Sequence, residues 1–135
     1  MRRLGIDHGE RRVGLALSDE EGTFAQPLDT IARKDPKALI AELVALIRER
    51  EVREIVVGLP LHLDGREGAS ARRARKFAEK LGAASGVPVV MWDERMSSAA
   101  AERALREGGV RARDQRGLVD KVAAALMLQS YLDGR

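Results

Sequence analysis

The spacing of apolar positions changes several times along the chain, and each change marks an element. Leu4 and Ile6 lead into Asp7, and Val13–Leu17 resumes beyond Gly9 as a second apolar run with Gly14 inside it. This predicts a β-hairpin with a carboxylate at its lip. Thr23–Ala32 reads as a third strand, placed at a sheet edge because Pro27 has no backbone donor. From Asp35 the period becomes helical: Asp35 caps, Pro36 opens the helix, and Leu39, Ile40, Leu43, Val44, Leu46 and Ile47 repeat along one face. Glu54–Pro60 is apolar and β-branched through its middle, the pattern of a parallel strand covered on both faces. After a loop from Leu61 to Gly68, a helix from about Ser70 turns Ala74, Phe77, Ala78 and Leu81 inward. Val87–Trp92 is a fifth strand that ends in Asp93-Glu94-Arg95. Ser97 or Ser98 then caps a helix to about Glu107, and Gly108–Gly117 reads as an exposed, mobile segment. A last helix, from about Leu118 to Leu132, carries Asp120 in its first turn and packs its Val122–Leu128 run against the sheet.

The element order β-β-β-α-β-α-β-α restricts the topology. Right-handed crossovers make strands 4 and 5 parallel to each other and to the strand they join. If that strand is the first, strands 1, 4 and 5 end on one rim, where open α/β sheets bind ligands. Asp7, Gly58-Leu59-Pro60 and Asp93-Glu94 then lie along this rim, and the last helix brings Asp120 to it. Taken alone, Asp7 fits a turn-supporting residue and Asp120 a partner for a helix dipole. Gly5, Gly9 and Gly14 favour a working Asp7, since they strip side chains from around it and leave room for a phosphate or a metal to approach backbone. Carboxylates gathered from distant parts of a chain repel one another unless a cation joins them. Hard divalent ions, Mg²⁺ first and Mn²⁺ second, are the natural partners, and such sites activate water for attack on a phosphodiester. The chemistry expected is that of a nuclease.

Composition narrows this further. A chain of 135 residues fits one domain, 1–135, with a real core. It has no cysteine and two histidines, so any metal sits on carboxylate oxygen. Aromatic residues make up 3%, which argues against recognition of bases by stacking. The longest apolar run, Val122–Leu128, is too short to span a bilayer, and the N-terminus enters a strand without a signal peptide, so the expectation is a cytoplasmic protein with no membrane contact. The net charge is +3 with a pI of about 9.7, carried mostly by arginine, which suits phosphate contact but equally suits life at high temperature or a GC-rich genome. Arg72, Arg73, Arg75, Lys76 and Lys80 form the outer face of the second helix, a solvated surface able to track a phosphate backbone.

Four blocks together carry a resemblance: Ile6-Asp7-His8-Gly9-Glu10-Arg11-Arg12-Val13-Gly14; Val56-Val57-Gly58-Leu59-Pro60-Leu61 with Asp64-Gly65; Asp93-Glu94-Arg95 with Ser97-Ser98; and Asp120-Lys121-Val122-Ala123-Ala124-Ala125 with Gln129-Ser130-Tyr131-Leu132. In this order, over nearly the whole chain, the sequence resembles the bacterial YqgF/RuvX family. The resemblance implies an α/β, RNase H-like fold with a five-stranded mixed sheet in the order 3-2-1-4-5 flanked by helices, related to Holliday junction resolvases. It implies a metal-dependent nuclease for structured nucleic acid, processing the 5′ end of the precursor of 16S ribosomal RNA, with ribosomal particles as partners; resolution of branched DNA is the alternative. Carried over by position, the acidic site falls on Asp7, Glu94 and Asp120, with Asp93 as the alternative metal ligand beside Glu94. Strand alternation sends Asp93 and Glu94 to opposite faces; Glu94 is favoured, with Asp93 paired to Arg95 or accepting from a ligand. Arg12, Arg66 and Arg95 are expected on phosphate. His62 stands where the family often has Asn, and Ser97-Ser98 where it often has Thr-Thr; His62 is expected at the substrate, His8 as an ordinary surface residue, and Trp92 and Tyr131 in the core or an interface. Two rivals of other classes are an actin-like phosphate-binding domain, for which no second glycine-rich hairpin is present, and a non-catalytic module that binds nucleic acid.

Overall fold

The computed structural model of the protein describes residues 1–33, 35–97 and 112–135, with the side chains of 112–119 left aside. Three strands come first, β1 (Arg3–His8), β2 (Arg12–Ser18) and β3 (Ala25–Ala32), followed by α1 (Pro36–Glu49), β4 (Glu54–Leu59), α2 (Ala69–Ser85) and β5 (Val89–Asp93). A 3-10 turn, Glu94–Met96, closes β5, and α3 covers Ala112–Gly134. The strand order is β3-β2-β1-β4-β5, as expected, with β1, β4 and β5 parallel and β2 antiparallel to both β1 and β3.

Alternation along the strands sorts the side chains into two cores. Leu4, Ile6, Val13, Leu15, Ile55 and Val57 pack under α1 and α2 with Leu39, Leu43, Ile47, Phe77 and Leu81. Ala16 and Val56 face the other way, under Ala124, Met127, Leu128 and Tyr131 of α3. Pro27 lies on the edge strand, where the register slips by one residue between Leu15↔Asp29 and Ala16↔Pro27. Asp35 caps α1 through Oδ2, which accepts from the Ala38 amide at 3.2 Å.

One expected boundary is wrong. α3 covers Ala112–Gly134 rather than starting near Leu118, so residues 112–117 are helical, and the rest of the segment expected at Gly108–Gly117 lies outside the described residues. Ala112, Arg113, Gln115 and Arg116 are favourable or neutral in helices, and Gly117 alone argued for a break. Asp120 therefore stands two turns inside α3, beyond reach of an N-terminal dipole, and the dipole explanation for this acid falls away. The helix expected from Ser97 or Ser98 to Glu107 lies outside the described residues, apart from Ser97, which is buried at the end of the 3-10 turn.

Candidate active site

Asp7 is the penultimate residue of β1 and, with Gly5, faces α3. Its two cross-strand neighbours are both glycines. Gly14 pairs with it on β2, and Gly58 follows the Ile6↔Val57 pair on β4. Each glycine makes room for a second acid. A Cβ built on Gly14 would fall on the backbone carbonyl of Asp120, and one built on Gly58 would come within 2.7 Å of Glu94 Cγ. The room around Asp7 is thus taken by the protein itself: Gly14 lets α3 down onto β2, Gly58 lets the Glu94 side chain lie across β4, and Gly5 admits Leu128. The expectation that Gly5 and Gly14 open the backbone to a ligand is corrected accordingly; the helix packs there.

Distant parts of the chain hold α3 in this position. Gln129 accepts from the Ala25 amide at 2.8 Å and donates to the Thr23 carbonyl at 3.0 Å, Ser130 accepts from Trp92 Nε1 at 3.2 Å, and the Tyr131 hydroxyl donates to Glu54 at 2.9 Å. Three successive residues thereby tie α3 to β3, β5 and β4. Trp92 and Tyr131 meet edge to face, 5.4 Å between ring centres, in the core role expected of them.

Glu94 hydrogen-bonds Asp7, and burial, that bond and the charges of Asp7 and Asp93 push its carboxyl up to about 9. Near neutral pH Glu94 therefore keeps its proton and donates it to the Asp7 carboxylate. Asp120 is also pushed up, chiefly by burial and further by the charge of Asp7, against the opposing pull of Arg12, whose Nε lies 2.9 Å from Asp120 Oδ2. The three acids thus share one field at one rim. Asp93 is separate: it caps the 3-10 turn through the Arg95 amide and binds the Arg95 guanidinium at 2.7 Å, which holds its carboxyl below the usual range.

The arginines expected on phosphate are all paired to acids as they stand: Arg12 to Asp120, Arg66 to Asp64 at 2.6 Å, and Arg95 to Asp93. Arg95 also donates to the Leu63 carbonyl at 3.2 Å, bracing the loop between β4 and α2 beside the acids. His62 is exposed in that loop, its ring against Gly68. His8 is not an ordinary surface residue. It is half-buried, stacks on Phe77 with 4.4 Å between ring centres, and is pushed down to about 4 by burial and by the charges of Arg33 and Arg73. Nothing in the hydrophobic pattern announced this stack, although the alternation that turns Asp7 toward α3 turns His8 toward α2.

The donor set suits a hard divalent cation, being carboxylate oxygen only, with Glu94 hydrogen-bonded to Asp7 at the rim. Among the described residues no three acids or histidines are disposed to hold a metal ion with the side chains as they stand, and Asp120 is paired to Arg12.

A protein of Anaeromyxobacter sp. (strain Fw109-5), provisionally named pre-16S rRNA nuclease, is 53% identical over 135 residues, 100% of this chain and 98% of its own length. A relative with the same name from Syntrophus aciditrophicus (strain SB) is 47% identical over 133 residues, 98% of this chain and 89% of its own. Among solved structures, Thermus thermophilus RuvC in complex with a Holliday junction substrate superposes with a TM-score of 0.65 at 21% identity, covering 100% of this chain and 95% of that one. The fowlpox virus Holliday junction resolvase gives 0.59 at 12% identity over 100% of both chains. These likenesses show the RNase H-like fold. The model of the family described as RuvX: Holliday junction resolvase matches residues 1–134, and with these relatives it shows that the chain belongs to the RuvX family.

Proposed function

We propose that the protein is a metal-dependent nuclease that hydrolyses phosphodiester bonds in structured nucleic acid, and that its physiological reaction is processing of the 5′ end of the precursor of 16S ribosomal RNA. The observation that carries this reading is the meeting of Asp7, Glu94 and Asp120, from β1, the end of β5 and α3, at one rim. The names of the relatives support the RNA substrate, and the reading includes a single catalytic domain over 1–135, action in the cytoplasm and ribosomal particles as partners. Among the described residues no helix is long and apolar enough to cross a membrane. The family description favours a second substrate, the four-way DNA junction.

Asp7, Glu94 and Asp120 are the residues that would hold Mg²⁺ or Mn²⁺. Such an ion, when bound, activates a water and offsets the charge that develops as the ester oxygen leaves. The chain does the rest. Gly58 lets Glu94 reach Asp7, α3 sets Asp120 beside them, and Arg12 holds the Asp120 carboxylate. Arg95 keeps Asp93 out of this group.

Asp7→Asn tests the reading, because it keeps the shape of the side chain and removes its charge. With Mn²⁺ and a 5′-extended 16S precursor, cleavage should fall by about a hundredfold or more while the circular dichroism spectrum and Tm stay close to wild type. Cleavage at the wild-type rate would overturn the assignment. Running a four-way junction alongside decides between the two substrates.

A further inference from the structure

Opposite the acids, across the thickness of the sheet, lies a second feature that their chemistry does not use. A cleft of about 170 Å³ opens between the N-terminal part of α1 and the outer face of α2. Its floor is the His8–Phe77 stack, and its walls carry Arg33, Arg73, Lys76 and Lys80. Among the described residues no acid lines it; Glu10, at the rim, lies 3.4 Å from Arg73. Lys76 and Lys80 are exposed and have no ion pair among the described residues. Four cations on so small a cavity repel one another, and a polyanion relieves that repulsion.

The volume decides what kind of anion. Free small molecules occupy cavities of roughly 300–1,000 Å³, so this cleft is too small to enclose a nucleotide and suits one phosphate of a longer chain. Its position decides which chain. His8 follows Asp7 directly on β1, so the cleft and the acids lie back to back at the same rim, separated by the turn between β1 and β2. Arg33 spans that turn, donating to the Glu10 carbonyl at 3.2 Å, and Arg11 is exposed on it. The cations therefore continue from the turn into the cleft.

We propose that this cleft is a second phosphate-binding site for the nucleic-acid substrate, gripping a segment that flanks the cleaved one and crosses the rim over the β1–β2 turn. The inference rests on the nuclease reading for the identity of the substrate, not for the existence of the site. It implies a preference for folded or branched substrates, since a nucleic acid that bends or forks can lie on both faces of one sheet edge.

The test measures binding apart from cleavage. A fluorescein-labelled RNA stem with a single-stranded 5′ extension is titrated in EDTA, by anisotropy, with wild type, the double variant Lys76→Ala/Lys80→Ala, and a control, Arg50→Ala/Arg53→Ala, which removes two exposed charges from the opposite end of the sheet. The cleft variant should bind about tenfold more weakly, and its plot of log affinity against log salt should be shallower by about one per lysine. The control should match wild type in both affinity and salt slope. Unaltered affinity and salt slope, or an equal loss in the control, overturns the site; if Asp7→Asn still abolishes cleavage, the nuclease reading survives that result. Inorganic phosphate at millimolar concentration should not displace the RNA, and displacement would overturn the assignment to a polymer.

Discussion

Gly58 is the residue through which strand packing becomes acid chemistry. Any side chain there would displace Glu94, and without Gly58 the Glu94 carboxyl loses both its burial and its partner Asp7. The raised pKa has a direct consequence for stability. Glu94 has an ordinary value of 4.5 and is held at about 9 in the folded protein, so the folded state binds more protons than the unfolded one across that interval. Stability contributed by this group is complete below about pH 4.5 and is lost as the pH rises toward 9. In EDTA, the Tm of wild type should fall between pH 5 and 9 relative to that of Glu94→Gln, by several degrees or more. Gly58→Ala should follow Glu94→Gln, remaining folded and losing most cleavage. A Gly58→Ala protein with wild-type activity and pH dependence would show that Glu94 does not need this slot. The glycines were visible in the sequence, but their purpose was not, because what they admit lies far away in the chain: Gly14 and Asp120 are separated by the whole of the fold.

At the scale of elements, α3 places the site, and its anchor lies at the other end of the sheet. Arg3 is almost fully buried, its Nε 2.6 Å from Glu54, which also accepts from Tyr131. Removing one partner of such a pair leaves a buried charge unmatched and costs about 3–5 kcal/mol. Glu54→Ala should therefore lower stability by about that amount in urea titrations, with kcat unchanged below the unfolding range, since Glu54 opens β4 at the end remote from Gly58. A loss below about 1 kcal/mol would mean that the pair is not what fixes α3. The helices and strands were legible because their period is local: Asp35-Pro36 and the Leu39–Ile47 repeat place α1, and the β-branched centre of Glu54–Pro60 places β4. The start of α3 was not, because one glycine outweighed four helix-compatible neighbours in a reading with no view of what the helix rests on. The pairing of Arg12 and Arg66 with acids escaped for a similar reason: the sequence offers each arginine several acids, and geometry selects one, whereas Arg95 with Asp93, two residues apart, was among the pairings the sequence offered.

For the whole molecule, topology does the selecting. Two parallel crossovers and a central β1 bring the ends of β1 and β5 to one rim, and α3 crosses the sheet to bring the third acid there. The acidic rim was readable from element order once β1 was taken as the central strand, and the basic face of α2 from its charge pattern. The cleft was not, since His8, Arg33 and Phe77 come from distant parts of the chain and nothing in the pattern brings them together. The account as a whole stands on three acids acting as one cation site, with the proton on Glu94 giving way to the ion. Calorimetric titration of the protein with Mn²⁺ at pH 7.5, in two buffers of different ionisation enthalpy, measures this directly. Wild type should bind with release of about one proton per ion, and the double variant Asp7→Asn/Glu94→Gln should lose both binding and release. Equal Mn²⁺ binding by the two proteins, or binding to wild type with no proton released, would contradict it.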